Sequence, residues 1–407
     1  MRLLHTSDWH LGQTLHNYDR GYEHQCFLDW LLDTIVAEQA DALLIAGDVF
    51  DTANPSAQSQ KQLYRFLSQA RSRAPQLDIV LIAGNHDSPG RIEAPGPLLE
   101  AHGTSVIGHI VRGADGQIDL ERLLVPLHGR DGAVAAWCMA IPFLRPGDVP
   151  RTEGEGDPYL AGIAELYRQA YALAAARRQD GQAILAMGHC HMVDGKASLD
   201  SERRIVIGGT EALPAAIFDQ GIAYAALGHL HLPQRIGRKE HLRYCGSPLP
   251  LSFAETGYQH QVLRVDLADG LAREVTPLHV PRAVPLLRIP PSPAPLEEAL
   301  AALAALELPE AEPQCQPYLE VRVLLDAPEP GLRGRIEAAL AGKPVRLAKI
   351  DPSRRHDSGK QEDAISLDQL AQLQPDDIFK RLYQQRFGED VPGDLLAAFA
   401  ELMVGEA

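Results

Sequence analysis

No stretch of the 407-residue chain approaches the roughly 20 consecutive apolar residues that a membrane-spanning helix needs, so no such helix is expected. Thiols are scarce too. The five cysteines, Cys26, Cys138, Cys190, Cys245 and Cys315, are odd in number, scattered and never in C-x-x-C spacing. That argues against a disulfide framework or a thiolate zinc knot and points to a reducing cytoplasm. Positive charge is also short: 38 Lys and Arg face 54 Asp and Glu, a formal net charge of −16. Proteins that grip phosphate backbones usually carry a basic face, so this balance argues that the chain alone binds nucleic acid weakly. Two effects soften that argument, since divalent cations would offset an acidic site and a partner subunit could supply a positive groove. There is no internal repeat or long low-complexity tract. The amino terminus runs from a short apolar stretch straight into Asp8, so no cleaved signal peptide is expected.

What is present is enough for a large core. Hydrophobic residues make up 45% of the chain, and a prior of about 150 residues per domain suggests two or three units. From 1 to about 280, apolar periodicity predicts helices at 20–39, 58–73 and 159–178 and short strands at 182–187, 204–207, 222–227, 242–245 and 260–267. Two facing sheets with helices outside would accommodate them. The proline-dense stretch 281–297 reads as a boundary. Beyond it the pattern predicts a strand near 285–289, a helix at 296–306, a strand at 318–325, a helix at 330–341 and a strand at 345–350, a βαββ-like or split βαβ unit. A polar break at 351–363 precedes two amphipathic helices. One carries Ile378, Phe379, Leu382, Tyr383 and Phe387, the other Leu395, Leu396, Phe399, Leu402 and Met403. Their apolar faces either pack back on the body or dock a partner.

Five polar strings follow buried-strand patterns: D-W-H at 8–10, G-D-V-F-D at 47–51, G-N-H-D at 84–87, G-H-C-H at 188–191 and G-H-L-H at 228–231. The carboxyl ends of strands are where an α/β sheet puts its chemistry. Asp, Asn and His offer oxygen and imidazole donors without thiolate, which suits Mn, Fe or Zn rather than a closed structural zinc site. Asp8 and His10, two apart, can face one side. Asp48 follows a glycine that permits a tight turn and could bridge two ions, although G-D is also a common turn. In G-N-H-D, Asn85 sets an amide oxygen beside the imidazole of His86. His229 and His231 would point to opposite sides unless the chain turns after Gly228.

The order of these strings resembles the signature of the calcineurin-like metallophosphoesterases over roughly residues 1–260. The runs M-R-L-L-H-T-S-D-W-H-L-G at 1–12, L-I-A-G-D-V-F-D-T-A-N-P at 44–55, A-L-G-H-L-H at 226–231 and Y-C-G-S-P-L-P-L-S-F at 244–253 are similar to the bacterial SbcD family of nuclease subunits. The likeness extends more weakly to the small unit and tail. It implies an α/β fold: a four-layer α/β/β/α sandwich over 1–280, a small α+β capping domain over 281–350, and a linker with partner-docking helices over 351–407. It also implies two Mn²⁺ ions per chain, with Mg²⁺, Fe or Zn as alternatives. Asp8, His10, Asp48 and His231 would hold the first ion, and Asp48, Asn85, His189 and His229 the second. His86 would be the catalytic non-ligand, facing the scissile phosphate.

In that alignment of roles His189 is preferred to His191 because it follows the strand and glycine as the family ligand does, which makes His191 and Cys190 bystanders. Asp51 stands where some relatives carry histidine, so no role is transferred to it. Asp87 orients His86 or caps a turn, and Tyr244, Cys245, Gly246 and Ser247 pack beside the site. The remaining histidines, His5, His16, His24, His102, His109, His128, His241, His260, His279 and His356, read as structural. The implied function is an exonuclease on double-strand ends and endonuclease on hairpins, serving DNA repair, recombination and replication. It would work with an SbcC-type ATPase as a homodimer within a heterotetramer. One alternative is a stand-alone phosphoesterase of nucleotides or cyclic nucleotides, which would suit the acidity but not need the second unit or tail. The other is an inactive scaffold, against which the complete donor set stands.

Overall fold

The computed structural model describes residues 1–100, 103–152, 157–197, 212–327 and 329–354, with 391, 392 and 395 beyond them. The strand expected at 204–207 and the two tail helices expected over 364–407 therefore fall outside the described residues, save for Pro392 and Leu395. By its contacts the chain divides into Met1–Ser353 and Arg354–Ala407.

In chain order the first unit begins with β1 (Arg2–Thr6), a small hairpin of β2 (Thr14–Leu15) and β3 (Tyr18–Asp19), α1 (Gly21–Ala37), β4 (Ala42–Ala46), α2 (Ala57–Arg73) and β5 (Asp78–Ile82). Next come two short helices, α3 (Pro89–Glu93) and α4 (Gly96–Glu100), then β6 (Thr104–Ile107), β7 (Leu124–His128), β8 (Val134–Ala140), α5 (Pro158–Arg177) and β9 (Ala183–His189). The series continues with β10 (Tyr224–Gly228), β11 (Gln234–Arg235), β12 (Leu242–Tyr244), β13 (Gln261–Ala268) and β14 (Leu271–His279). The long helices start where the chemistry allows. Ser56 caps α2 by accepting a hydrogen bond from the Ser59 backbone N–H, and Asp157 caps α5 through the Tyr159 N–H, with Pro158 opening that helix.

Two six-stranded sheets result, ordered β14-β13-β1-β4-β5-β6 and β11-β12-β10-β9-β8-β7. Strands β1, β4, β5 and β6 run parallel, as do β8, β9, β10 and β12. Alternation along the strands explains the layering. Leu4, Leu43, Ile45, Ile79 and Leu81 pack with Phe27, Leu28 and Leu31 of α1 and with Leu63, Phe66 and Leu67 of α2. The opposite face, with Leu3, Leu44, Val80 and Ile82, belongs to the large core that includes β8, β9 and β10 and extends to Ile163, Leu166 and Tyr167 of α5. The order helix, sheet, sheet, helix is the expected four-layer sandwich.

After β14 come β15 (Leu286–Pro295), α6 (Leu296–Ala304), β16 (Tyr318–Leu325), α7 (Leu332–Ala339) and β17 (Arg346–Arg354), forming a three-stranded sheet ordered β15-β16-β17. The sheet bears out one expectation and corrects another. The strand expected near 285–289 is β15, which runs on to Pro295 at the sheet edge, where residues lacking an N–H are tolerated, and its register shifts between Ile289 and Ala294. The unit is neither βαββ-like nor a split βαβ, because β15 pairs directly and in parallel with β16, and α7 separates β16 from β17. The sheet is tied to the rest of the unit through Arg20, which is fully buried. Its guanidinium forms a fork on Glu23 at 2.6 and 3.0 Å and donates to Gln13 and to the Pro250 carbonyl, while Tyr318 of β16 donates to the same Glu23 at 2.9 Å. All these charges and polar groups are paired, as burial demands.

Candidate metal centre

The five strings emerge at the carboxyl ends of β1, β4, β5, β9 and β10, along one edge of the sandwich. Asp8 N donates to Gly47 O at 3.0 Å and His10 N to Asp48 O at 3.0 Å, so the loops after β1 and β4 stay zipped beyond the strands. Gly228 fits here because no side chain could: a Cβ there would overlap the Ala46 carbonyl. The two sheets can therefore touch at the rim. His229 turns away at φ 104°, which is how His229 and His231 both reach the site despite their alternate spacing.

Three groups of potential ligand atoms lie within 4.8 Å of one another: Asp8, His10 and His231; Asp48, His189 and His229; and His10, Asp48 and His86. Asp48 links them. Its Oδ1 accepts the His86 backbone N–H at 2.8 Å, while Oδ2 lies 3.7 Å from His10 Nε2 and 3.3 Å from His189 Nε2. Asn85 Oδ1 sits 2.9 Å from His189 Nε2 and 3.2 Å from His229 Nδ1. The seven residues named from the sequence as ligands are thus connected through short contacts, with His10 and His189 on either side of the Asp48 carboxylate. Cations fit this arrangement: His10 Nε2 is buried with no hydrogen-bond partner, and the donors are all oxygen and imidazole nitrogen.

The histidines are held from behind. His189 Nδ1 meets the Ala46 carbonyl at 2.9 Å, which places the proton there and turns Nε2 into the donor atom. His231 Nδ1 contacts Glu255 Oε1 at 2.9 Å, and His10 Nδ1 contacts Asp51 Oδ1 at 3.2 Å. Asp8 accepts from the His229 N–H at 2.9 Å and from Ser7 Oγ at 2.5 Å. His86 Nδ1 lies 2.7 Å from the Asp51 carbonyl, so Nδ1 donates and Nε2 is the acceptor nitrogen of the neutral ring.

Electrostatics follow the geometry. Burial raises the Asp48 carboxyl, but the neighbouring His189 and His10 outweigh it and hold the group well below the usual carboxylate range. For His189 burial opposes protonation, yet Asp48 lifts the imidazole to about 9. His229 goes the other way, lowered by burial and then by the charge on His189. Burial, reinforced by Asp48, raises Asp87 to about 6.

Asp87 does more than cap a turn, because its carboxylate accepts backbone N–H groups from Gly84, Val49 and Phe50 and so clamps the loops after β4 and β5 together. His191 Nε2 points to the Gly195 carbonyl at 3.5 Å and is absent from the three groups of close donor atoms. Tyr244 packs beside the site with its hydroxyl 2.5 Å from the Cys190 carbonyl, and Cys245 Sγ lies 3.1 Å from Ser7 Oγ. Ser7, Asp51 and Glu255 are contributors to which motif reading assigns no role. Ser7 and Asp51 at least lie within the quoted runs; Glu255 lies 24 positions from His231, and no sequence spacing signals it.

Known proteins resemble this chain in both its parts. The family model described as calcineurin-like phosphoesterase matches residues 1–233, and one described as type 5 capsule protein repressor C-terminal domain matches 282–387. The SbcD subunit of the SbcCD nuclease from Rhodobacter capsulatus is 43% identical over 362 residues, covering 87% of this chain and 88% of that protein. Its Escherichia coli counterpart is 36% identical over 393 residues, covering 94% and 92%, and that of Bacillus subtilis 38% over 276, covering 66% and 67%. No helix among the described residues is long and apolar enough to cross a membrane. The phosphoesterase rim, the appended sheet and these likenesses across nearly the whole length agree: the chain belongs to the calcineurin-like phosphoesterases and, within them, to the SbcD family of nuclease subunits.

Proposed function

We propose that this chain is the hydrolytic subunit of an SbcCD-type nuclease, cutting phosphodiesters at DNA double-strand ends and hairpins with two Mn²⁺ ions, in the cytoplasm. The observation that carries the reading is that Asp48 Oδ2 lies 3.7 Å from His10 Nε2 and 3.3 Å from His189 Nε2, while His10 clusters with Asp8 and His231, and His189 with His229 and Asn85. Asp8, His10, Asp48 and His231 would hold one ion and Asp48, Asn85, His189 and His229 the other. When bound, such a pair clamps a phosphate and supplies a nucleophile at neutral pH. The chain's own groups do the rest. His86, fixed by its backbone N–H on Asp48 and its Nδ1–H on the Asp51 carbonyl, would present Nε2 to the reacting phosphate; once Nε2 has taken up a second proton, the imidazolium can give it to the leaving oxygen.

The partner is an ATPase of the SbcC type with a long coiled coil, bound through the helices over 364–407 in a heterotetramer built on a homodimer. It would supply the positive groove that a chain of net charge −16 does not offer. The test is His86→Gln. The variant should retain two Mn²⁺ and its fold while hydrolysis of a duplex end falls by about 10²–10⁴. Loss of bound Mn²⁺ in proportion to activity would make His86 a ligand, in keeping with its place beside His10 and Asp48.

A further inference from the structure

Just past His231, the segment 232–243 and the loop before β13 enclose a pocket of about 660 Å³ lined by Pro233, Arg235, Arg238, Arg243, Tyr258 and Gln261, among others. Its charge is unusual for so acidic a chain. Arg235 of β11 and Arg243 of β12 are directly paired across the antiparallel ladder, so their side chains rise on one face. Like charges in that position destabilise a sheet unless something of opposite sign lies between them. Glu240 is the carboxylate that the structure puts there: it pairs with Arg235 and reaches Arg243 at 3.7 Å, leaving three arginines against one acid. Arg243 is only 15% exposed, and its Nε is buried with no hydrogen-bond partner. Such an atom calls for an acceptor. Arg238, an exposed residue of the lining, keeps its backbone at φ 59° next to Gly237 at φ 55°, so the chain turns sharply at the pocket.

We infer that this arginine pocket is a phosphate subsite that takes a backbone phosphate of the DNA strand beyond the one being cut. The inference rests on the nuclease reading above and adds where the strand runs. Planar guanidinium forks match phosphate oxygens in pairs, Arg243 Nε is one such unused donor, and the pocket begins just after a proposed metal ligand. An inorganic phosphate or a nucleotide product shares that chemistry, so the test separates the sources.

The experiment uses the full-length chain loaded with Mn²⁺ and the double variant Arg235→Gln/Arg243→Gln. Two substrates are compared: bis(4-nitrophenyl) phosphate, which has a single phosphate, and a short DNA duplex. The subsite predicts an unchanged kcat/KM for the small diester and a loss of about tenfold or more for the duplex at low salt. The log–log dependence of duplex kcat/KM on salt should flatten by about 0.9 per arginine removed. Arg235→Lys/Arg243→Lys, which keeps the charge, should recover most of the salt slope. An unchanged duplex rate and slope would overturn the subsite, and so would equal losses on both substrates, which would make the arginines supports of the metal centre. If inorganic phosphate inhibits the wild type but not the variant while duplex cleavage is equal in both, the pocket is a free-anion site and the DNA assignment fails. A wild type that cleaves the diester but no DNA, even with the ATPase subunit added, would instead defeat the nuclease reading itself.

Discussion

Asp8, His10, Asp48 and His229 hold their backbones at φ 54°, 48°, 48° and 104°, a region that side-chain-bearing residues seldom occupy. Each such residue costs about 1–3 kcal/mol, and that cost is borne where loops must aim donors inward rather than where strands pack. The donors themselves are legible in the sequence, because each sits in a short string right after an apolar run. Glu255 is not, because only the fold carries it to His231. Its carboxylate accepts from His231 Nδ1 and, through Oε2, from the Leu251 N–H, so it sets the ring's tilt and tautomer. Replacing Glu255 with Gln should therefore weaken Mn²⁺ binding by about 10–100-fold without loss of fold, measured by metal titration beside circular dichroism. Equal affinity in variant and wild type would reduce Glu255 to a packing residue.

Among the elements, those with long periodicity are the legible ones. Phe27, Leu28, Leu31, Leu32 and Ile35 mark α1 because a helix buries one stripe, and 318–325 reads as a strand as β16 does. The edge strand β15 is harder to see, since prolines 290, 291, 293 and 295 argue against a strand anywhere but at an edge, and edge position is not written in the sequence. Two histidines read as structural are indeed held in the body: His5 of β1 contacts the Tyr224 hydroxyl at 2.8 Å, and His260, just before β13, the Ser247 carbonyl at 2.8 Å. Burial lowers His5 to about 3 and His260 to about 4. Both folded-state values lie below the unfolded value, so their stabilisation is complete above about pH 6.5 and is lost as pH falls towards the folded values. Each should cost roughly 1.4 kcal/mol per pH unit in that window. Denaturant midpoints should thus drop between pH 7 and 5, and His260→Gln should flatten the decline. A midpoint that stays level or rises over that range would show that these rings are not buried neutral.

At the scale of the whole molecule, the acid excess and the appended segments need a joint explanation. A small-substrate phosphoesterase needs neither β15–β17 nor a tail, whereas a nuclease that borrows a positive groove needs a docking element. Removing 364–407 should leave small-diester hydrolysis and metal content nearly intact while abolishing co-elution with the ATPase subunit and ATP-dependent cleavage of DNA ends. Co-elution of the truncated chain would move the docking site elsewhere, and loss of small-diester activity would place the tail in the core.

The central claim is that Asp48 would be shared by two ions. It is tested most directly by counting Mn²⁺ per full-length chain by elemental analysis after gel filtration, for the wild type, Asp48→Asn and His231→Ala. The account predicts two ions in the wild type, both weakened together in Asp48→Asn, and one retained in His231→Ala. A single tight ion in the wild type, untouched by the Asp48 change, would contradict it.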